Sequence, residues 1–350
     1  MLGRMSYSPM QRVRRKPAYA ALAIVAALSL GLSACGGSSD KAAADKTPAS
    51  QPTEGGKNLA ALWPLTGLPS SGQTPKHPVM IVKIDNTTSS QPQLGLAKAD
   101  LITEELVEGG ITRLAVFFYS KVPDLVGPVR SMRASDIGVV KPAHAVLVAS
   151  GAAGQTIGRL NRAKVRYYTE GAPGFYRDSS RHAPYNLMVR LPELAKTLKR
   201  QAVVPASYLP WGKEADFAGG QKARTIAASF SATHTTDWTY AGGKYTNTNS
   251  NAAAGSQLHP DTVLVLRVRE GDAGYLDPAG NHVPETLFTG KGALMLFHNG
   301  QLVRGTWSKK KLASPLALRT AAGSLKVPAG HVWIELVPDK NAGGNVTWTK

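Results

Sequence analysis

Short apolar runs separated by turn-forming residues make up the hydrophobic pattern from about residue 60 onward. Residues 79–84 (VMIVKI), 114–119 (LAVFFY) and 145–149 (AVLVA) are bounded by Gly, Pro, Asn or Ser, which favours buried strands. Apolar positions at roughly helical spacing predict helices over residues 96–107 and 191–201, although Ile102-Thr103 in the first segment also suits a strand. Strands alternating with helices indicate an α/β sandwich in this part of the chain.

The second half contains short strand patterns separated by Gly, Asn, Asp and Pro turns. Asn299-Gly300 between two such patterns is the strongest hairpin signal in the chain. We therefore predict an α+β protein with an N-terminal α/β domain (59–220), a smaller β-rich domain (221–338) and a C-terminal tail (339–350). The predicted strands of the second domain are residues 225–230, 237–240, 244–246, 262–268, 293–298, 301–308 and 332–337.

The first 58 residues have a different pattern. Residues 1–34 have a basic start and an apolar stretch that is short for a membrane span, as in a secretory signal peptide. The sequence Leu-Ser-Ala-Cys ending at Cys35 is similar to a bacterial lipobox, which implies lipidation of Cys35 and a cell-membrane anchor on the extracytoplasmic face. Residues 35–58 are rich in Gly, Ser, Ala, Pro and charge, which predicts a flexible tether.

The net charge and the cysteine count exclude some kinds of partner and some kinds of site. The formal net charge is +18, and +13 remains without residues 1–34, which contain five cations and no acid. Such a charge attracts anionic partners, and the secretory leader argues against nucleic acid among them. The one cysteine excludes an intrachain disulfide and a cysteine-based metal cluster. No metal-ligand spacing and no cofactor motif is found.

Polar residues cluster at both ends of the 114–119 run, where side chains on loops are free to meet a ligand. Glu108 and Arg113 precede the run, and Arg130 and Arg133 follow it. Glu108 could form a structural ion pair with one arginine, but a single acid cannot pair with all three arginines. Asp85, at the end of the 79–84 run, suits either a ligand or a turn.

A second polar cluster lies in residues 174–187 (GFYRDSSRHAPYNL), which prolines mark as a loop. Its candidate residues are Arg177, Asp178, Arg181, His182 and Asn186. The two arginines suit bidentate contacts to a carboxylate or phosphate, whereas Asp178 beside His182 suits acid/base chemistry. Internal Arg–Asp pairs that fix the loop are the structural alternative.

Two further segments allow a ligand or a purely structural interpretation. Residues 150–154 (SGAAG) follow a strand pattern, as in phosphate-binding loops, but without the full glycine motif they also fit an ordinary tight loop. Arg304, Trp307 and Lys309 on a predicted strand pair could hold a sugar and an anion, although a tryptophan there more often packs.

The segments VEGGITR, GPVRSMR, RDSSRHAPYNL and TGKG…VRGTWSK occur in this order. They resemble the motifs of the YerB-like lipoprotein family, a bacterial envelope family of unknown function with an N-terminal and a C-terminal domain. The resemblance covers about residues 60–338 and implies architecture and compartment, with no established catalytic residues. The chain departs from the family pattern after Tyr245, where Thr246-Asn247 replaces an expected arginine.

The sequence thus predicts a lipid-anchored binding or accessory protein of the cell envelope. Arg113, Arg130, Arg133, Arg177 and Arg181 would line a groove for a peptidoglycan fragment, an anionic cell-wall polymer or a lipid headgroup. Glu108, Asp178, His182 and Asn186 would orient the ligand. The alternative is an envelope hydrolase that uses Glu108 or Asp178 with His182.

Overall fold

The computed structural model describes residues 61–72, 74–217 and 219–350. The predicted signal peptide, Cys35 and the tether lie outside these residues. Most predicted strands are present within a few residues of their expected limits. In the first half the elements are β1 Met80–Asp85, β2 Leu101–Leu106, β3 Thr112–Phe118, α1 Asp136–Val140, β4 Val146–Val148, α2 Gly154–Arg162, β5 Arg166–Tyr168, β6 Phe175–Arg177, β7 Leu187–Val189 and α3 Leu191–Thr197.

The second half is built from strands, as predicted. They are β8 Trp211–Gly212, β9 Gln221–Lys222, β10 Thr225–Ser229, β11 Thr235–Ala241, β12 Lys244–Asn247, β13 Thr262–Leu276, β14 His282–Leu287, β15 Gly290–His298, β16 Gln301–Lys309, β17 Ala317–Thr320, β18 Gly323–Ser324, β19 Val327–Pro328, β20 Val332–Pro338 and β21 Asn345–Thr349. The fold is therefore mixed and strand-rich, which is consistent with the predicted α+β class.

One large sheet contains strands from both halves of the sequence. Its order is β18-β17-β16-β15-β13-β20-β2-β3-β1-β4-β5, with β14 on β13 and β9 on β16. The halves meet where β20 lies parallel between β13 and β2. A second sheet, β12-β11-β10-β21, includes residues 345–349, which belong to the predicted C-terminal tail.

Each face of the large sheet has its own core, which explains why its strands are apolar on both sides. Helices α1 and α2 cover one face, and α3 together with the second sheet covers the other. Within the described part of the chain, the core side chains all fall between Leu65 and Val346, so a chain of residues 59–350 retains both cores. No helix of the described residues is both long and apolar enough to cross a bilayer.

The predicted helix over residues 96–107 is wrong. A short 3-10 helix, Leu96–Lys98, is followed by β2. Strand β2 is buried on both faces, and its adjacent Glu104 and Glu105 point to opposite sides, each into a buried polar network. Two neighbouring glutamates are common on solvated helices and rare on buried strands, because a buried carboxylate must find partners. The sequence does not show those partners.

Candidate functional site

The ends of several strands meet at one edge of the large sheet. Strand β4 runs parallel to β1, so Asp85 and Ser150 follow at the same edge, and antiparallel β3 begins there with Arg113 opposite Asp85. Backbone hydrogen bonds attach the loop after β3 to this edge: Ser150 N donates to Arg130 O (3.0 Å) and Met132 N to Gly151 O (3.0 Å). The sheet thereby places the predicted polar residues side by side.

Three guanidinium groups share this edge with two carboxylates. Glu108 accepts hydrogen bonds from Arg113 Nη2 (3.0 Å) and from Arg133 Nε (2.9 Å), and Arg130 Nε donates to Asp85 Oδ2 (3.0 Å). Burial, and then the charge of Arg133, lower the pKa of Arg113 to about 10. One carboxylate therefore does not neutralise both of its arginines, and the edge keeps an excess of positive charge.

A cavity of about 620 Å³ adjoins this cluster, and we call it the edge cavity. Ser131, Arg133 and residues 150–153 form one wall, and residues 275–278 with Val283 form the other. The second wall belongs to the hairpin of β13 and β14. Two contacts hold this hairpin against α2: Thr156 Oγ1 lies 2.8 Å from Tyr275 Oη, and Arg159 Nη1 donates to Glu285 Oε2 (2.6 Å).

The predicted helix after the glycine-rich loop is present, and it begins beside the edge cavity. Helix α2 starts at Gly154, directly after the wall residue Ala153, and no side chain caps it. The first N–H groups of a helix lack intrahelical acceptors and carry partial positive charge. This end of α2 therefore adds to the positive potential that Arg133 creates in the cavity.

The loop of residues 174–187 forms a separate cavity of about 350 Å³, which we call the loop cavity. Asp178, Arg181, His182 and Tyr185 line it together with residues near Pro92. Arg181 Nη2 donates to Pro92 O (2.7 Å) and its Nε lies 3.4 Å from Asp178 Oδ2. The loop is thus fixed in part by an internal Arg–Asp pair.

The predicted single groove is divided in the structure. Arg113, Arg130, Arg133 and Glu108 come together at the sheet edge, whereas Arg177 pairs on the surface with Glu170 and with Asn186 Oδ1 (2.7 Å). Arg130 lies between the two cavities, since its guanidinium stands 5.1 Å from the centre of the Tyr185 ring. Trp307, a candidate sugar platform, is buried and donates to Arg267 O (2.9 Å), so it packs instead.

Comparisons with known proteins place the chain in a family. The model described as "Protein of unknown function (DUF3048) N-terminal domain" matches residues 65–204, and the corresponding C-terminal domain model matches residues 225–334. The chain belongs to the DUF3048 family.

A sequence match and a structural match, both to YerB of Bacillus subtilis, agree with this assignment and confirm the predicted YerB-like resemblance. The chain is 48% identical over 71 residues to "Putative lipoprotein YerB" of Bacillus subtilis strain 168, a match that spans 20% of this chain and 21% of the relative. The crystal structure of YerB protein from Bacillus subtilis matches with a TM-score of 0.69 at 20% identity, over 83% of this chain and all of that chain. At this identity the second match shows a shared fold.

Sequence reasoning missed a buried triad behind the edge cavity of this DUF3048 protein. Lys83 Nζ lies 2.5 Å from Glu105 Oε1 and 2.8 Å from Asp136 Oδ1, and the three side chains have no solvent exposure. Burial raises the pKa of Glu105 to about 7 although Lys83 opposes the shift. Asp136 Oδ2 also accepts from Arg133 N (2.6 Å), so the triad fixes the backbone of a cavity residue. Its sequence signal is a lysine within the apolar run VMIVKI.

A second buried network joins the two DUF3048 domains. Glu104 Oε1 accepts from Thr112 Oγ1 (2.7 Å) and Thr236 Oγ1 (2.9 Å), and His234 Nε2 lies 3.1 Å away. Glu335, opposite Glu104 on β20, accepts from Trp238 Nε1 (2.8 Å). Burial and the adjacent Glu104 raise the pKa of Glu335 well above its usual value. The raised pKa favours the protonated form of Glu335. Neither carboxyl group is exposed, which makes this network structural.

Proposed function

We propose that this protein is a lipid-anchored, extracytoplasmic binding or accessory protein that holds an anionic cell-envelope component in the edge cavity. The observation that carries the proposal is the pairing of two arginines with one carboxylate, Glu108, beside an open cavity. The lipoprotein name of the relative supports the anchor, for which Cys35 is the candidate residue.

Several donors could meet an anion in the edge cavity. The side chains of Arg113 and Arg133 are mostly engaged with Glu108 and with backbone carbonyls, so they act chiefly through their charge. Ser131 and Ser150 present hydroxyl groups 3.2 Å from each other, and the uncapped start of α2 adds N–H groups. This combination suits a phosphate or carboxylate on a peptidoglycan fragment, a wall polymer or a lipid headgroup.

The contacts of the two candidate acids favour the binding function over the hydrolase alternative. Glu108 is held by two arginines, and the Asp178 carboxylate accepts from Ser180 N (2.9 Å) and Ser180 Oγ (2.6 Å). Among the described residues, no hydrogen bond joins Asp178 to the His182 ring.

The proposal is tested by Arg133→Gln in a chain of residues 59–350. Binding to peptidoglycan fragments, an anionic wall polymer and phosphatidylglycerol vesicles is measured by co-sedimentation or by calorimetry at two salt concentrations. We expect the variant to lose about tenfold in affinity for one of them, because a unit charge within about 10 Å of the anion contributes about 1.5 kcal/mol or more at an effective dielectric constant of about 20. Its binding should also depend less on salt.

Arg200→Gln is the matched control, since it removes the same charge at an exposed position outside both cavities. Because Arg133 is partly buried against Glu108, the double variant Ser131→Ala/Ser150→Ala tests the cavity without removing a charge. Circular dichroism checks that each variant is folded. Equal losses in Arg200→Gln, or unchanged binding in both cavity variants, would reject the edge cavity as the binding site.

A further inference from the structure

A third cavity, in the C-terminal half, lies where the two sheets separate. It has a volume of about 510 Å³, and we call it the basic cleft. On the face of β13 that looks toward the second sheet, buried Val263 and Val265 are followed by Arg267 and Arg269. Strand β15 changes in the same way, from Phe297 to Lys291. The inner face of the sandwich thus turns from apolar to cationic at this end, although facing sheets normally bury apolar side chains.

The basic cleft holds many more cations than acids. Its only acidic lining residue among the described residues is Asp339, whose carboxylate accepts from Asn341 N (2.9 Å) and Ala342 N (3.2 Å) and so caps a 3-10 helix. None of the cleft cations forms an ion pair within the described part of the chain. The cationic side chains that line the cleft are Arg267, Arg269, Lys291, Arg304 and Lys340.

Two of the arginines are held in place by the protein. Arg304 stacks on Trp348 of β21, with its guanidinium 4.5 Å from the ring centre. Stacking uses the flat face of a guanidinium and leaves the N–H donors at its edge for a ligand. Arg267 Nη2 donates to Gly344 O (2.7 Å), and burial lowers the pKa of Arg267. The protein thus keeps a partly buried cation here without a carboxylate partner.

We propose that the basic cleft is a second anion site, distinct from the edge cavity, and that it takes a phosphate group. Arginine edges match the oxygen atoms of a phosphate in bidentate contacts, and lysines add point charges. A phosphate carries up to two charges and several acceptor oxygens, so it can engage more of the five cations than a single carboxylate can. The phosphate could come from a free phosphate compound or from a phospholipid headgroup.

The test uses residues 59–350 and two probes. Inorganic pyrophosphate is titrated by calorimetry, and vesicles of phosphatidylglycerol are compared with vesicles of phosphatidylcholine by co-sedimentation. The variant Arg269→Gln/Lys291→Gln removes two exposed charges from the cleft. We expect it to weaken binding of at least one probe by tenfold or more, since each lost contact to a charged group accounts for about a tenfold change.

The control variant Lys196→Gln/Lys199→Gln removes the same net charge from exposed positions on and after α3, outside the cleft. Loss of pyrophosphate binding in the cleft variant alone supports the site with a free phosphate compound as ligand. Loss of vesicle binding alone supports it with a headgroup. The proposal is overturned if neither probe binds or if the two double variants lose affinity equally. Arg133→Gln should leave pyrophosphate binding intact, which separates the cleft from the edge cavity.

Discussion

At the residue scale, the most unusual pair is Glu104 and Glu335, two buried carboxyl groups opposite each other on paired strands. They should respond to substitution in opposite ways. Glu104 is the charged member, because the hydrogen bond and charge of His234, with Thr112 and Thr236, lower its pKa against the effect of burial. Glu335 is the neutral member, and glutamine resembles a protonated glutamate in shape and in having a donor.

We predict that Glu104→Gln lowers the free energy of unfolding by about 3–5 kcal/mol at pH 7, because several buried donors lose a charged acceptor. Glu335→Gln should stay within about 1 kcal/mol of the parent at pH 5. Urea unfolding of residues 59–350 measures both values. Similar losses in the two variants at pH 5 would contradict the assignment of the proton to Glu335.

The two substitutions should also differ in pH dependence. The raised pKa of Glu335 means that, above about pH 4.5, the unfolded chain releases a proton that the folded chain retains, so folding becomes less favourable as pH rises. Glu335→Gln removes this penalty and should gain stability relative to the parent between pH 5 and 7. The pKa of Glu104 is lowered in the folded state, so the stability that its charge contributes is lost as the pH falls. The loss of unfolding free energy in Glu104→Gln should therefore be smaller at acidic pH. Unfolding curves at several pH values test both slopes.

Whether the sequence predicts the position of one of these residues depends on how far along the chain its partners lie. The strand-end positions of Asp85, Arg113 and Ser150 follow from local apolar runs, and the structure brings them to one edge. Arg133 forms an ion pair with Glu108, and Arg177 forms one with Glu170. Which acid each arginine contacts depends on how the folded chain brings separate segments together. No local pattern distinguishes those two arginines, so their separation became visible only in the fold.

At the element scale, the hairpin of β15 and β16 shows where local sequence is decisive. Asn299 and Gly300 form the predicted two-residue loop, with φ of 51° and 69°. Both angles are positive, as the turn with the twist of a hairpin requires, and Asn-Gly tolerates them best. Strand β2 is the opposite case, because its pairing with β20 overrides the helical spacing of its apolar residues.

We predict that Gly300→Ala lowers the free energy of unfolding by more than Gly280→Ala does. Both glycines have positive φ, which costs an alanine about 1 kcal/mol. A Cβ atom on Gly300 would also lie 2.8 Å from Tyr240 Cδ1, whereas a Cβ on Gly280 meets open space. We expect about 2–4 kcal/mol for Gly300→Ala, since overpacking adds about 1–3 kcal/mol. Equal losses in urea unfolding would show that the Tyr240 contact is unimportant.

At the scale of the whole molecule, the two family domains share one sheet. Strand β20 of the second domain pairs along its length with β2 of the first and with β13 of the second. The edge cavity likewise takes one wall from each half. The predicted boundary near residue 220 follows a change in composition along the chain, and composition carries no information about which strands will pair across it.

The shared sheet predicts that neither half folds alone. Residues 59–220 without β20 would expose the edge of β2 and part of an apolar face, which favours aggregation over folding. In residues 221–350 alone, β20 would lose β2, its hydrogen-bonding neighbour in the sheet. We expect each half, expressed separately, to be insoluble or to lack a cooperative unfolding transition, and co-expression to restore a soluble complex that co-elutes in size-exclusion chromatography. A soluble first half with a sharp transition would mean that the sheet is assembled from two independent units, and the edge cavity could then open and close as they separate.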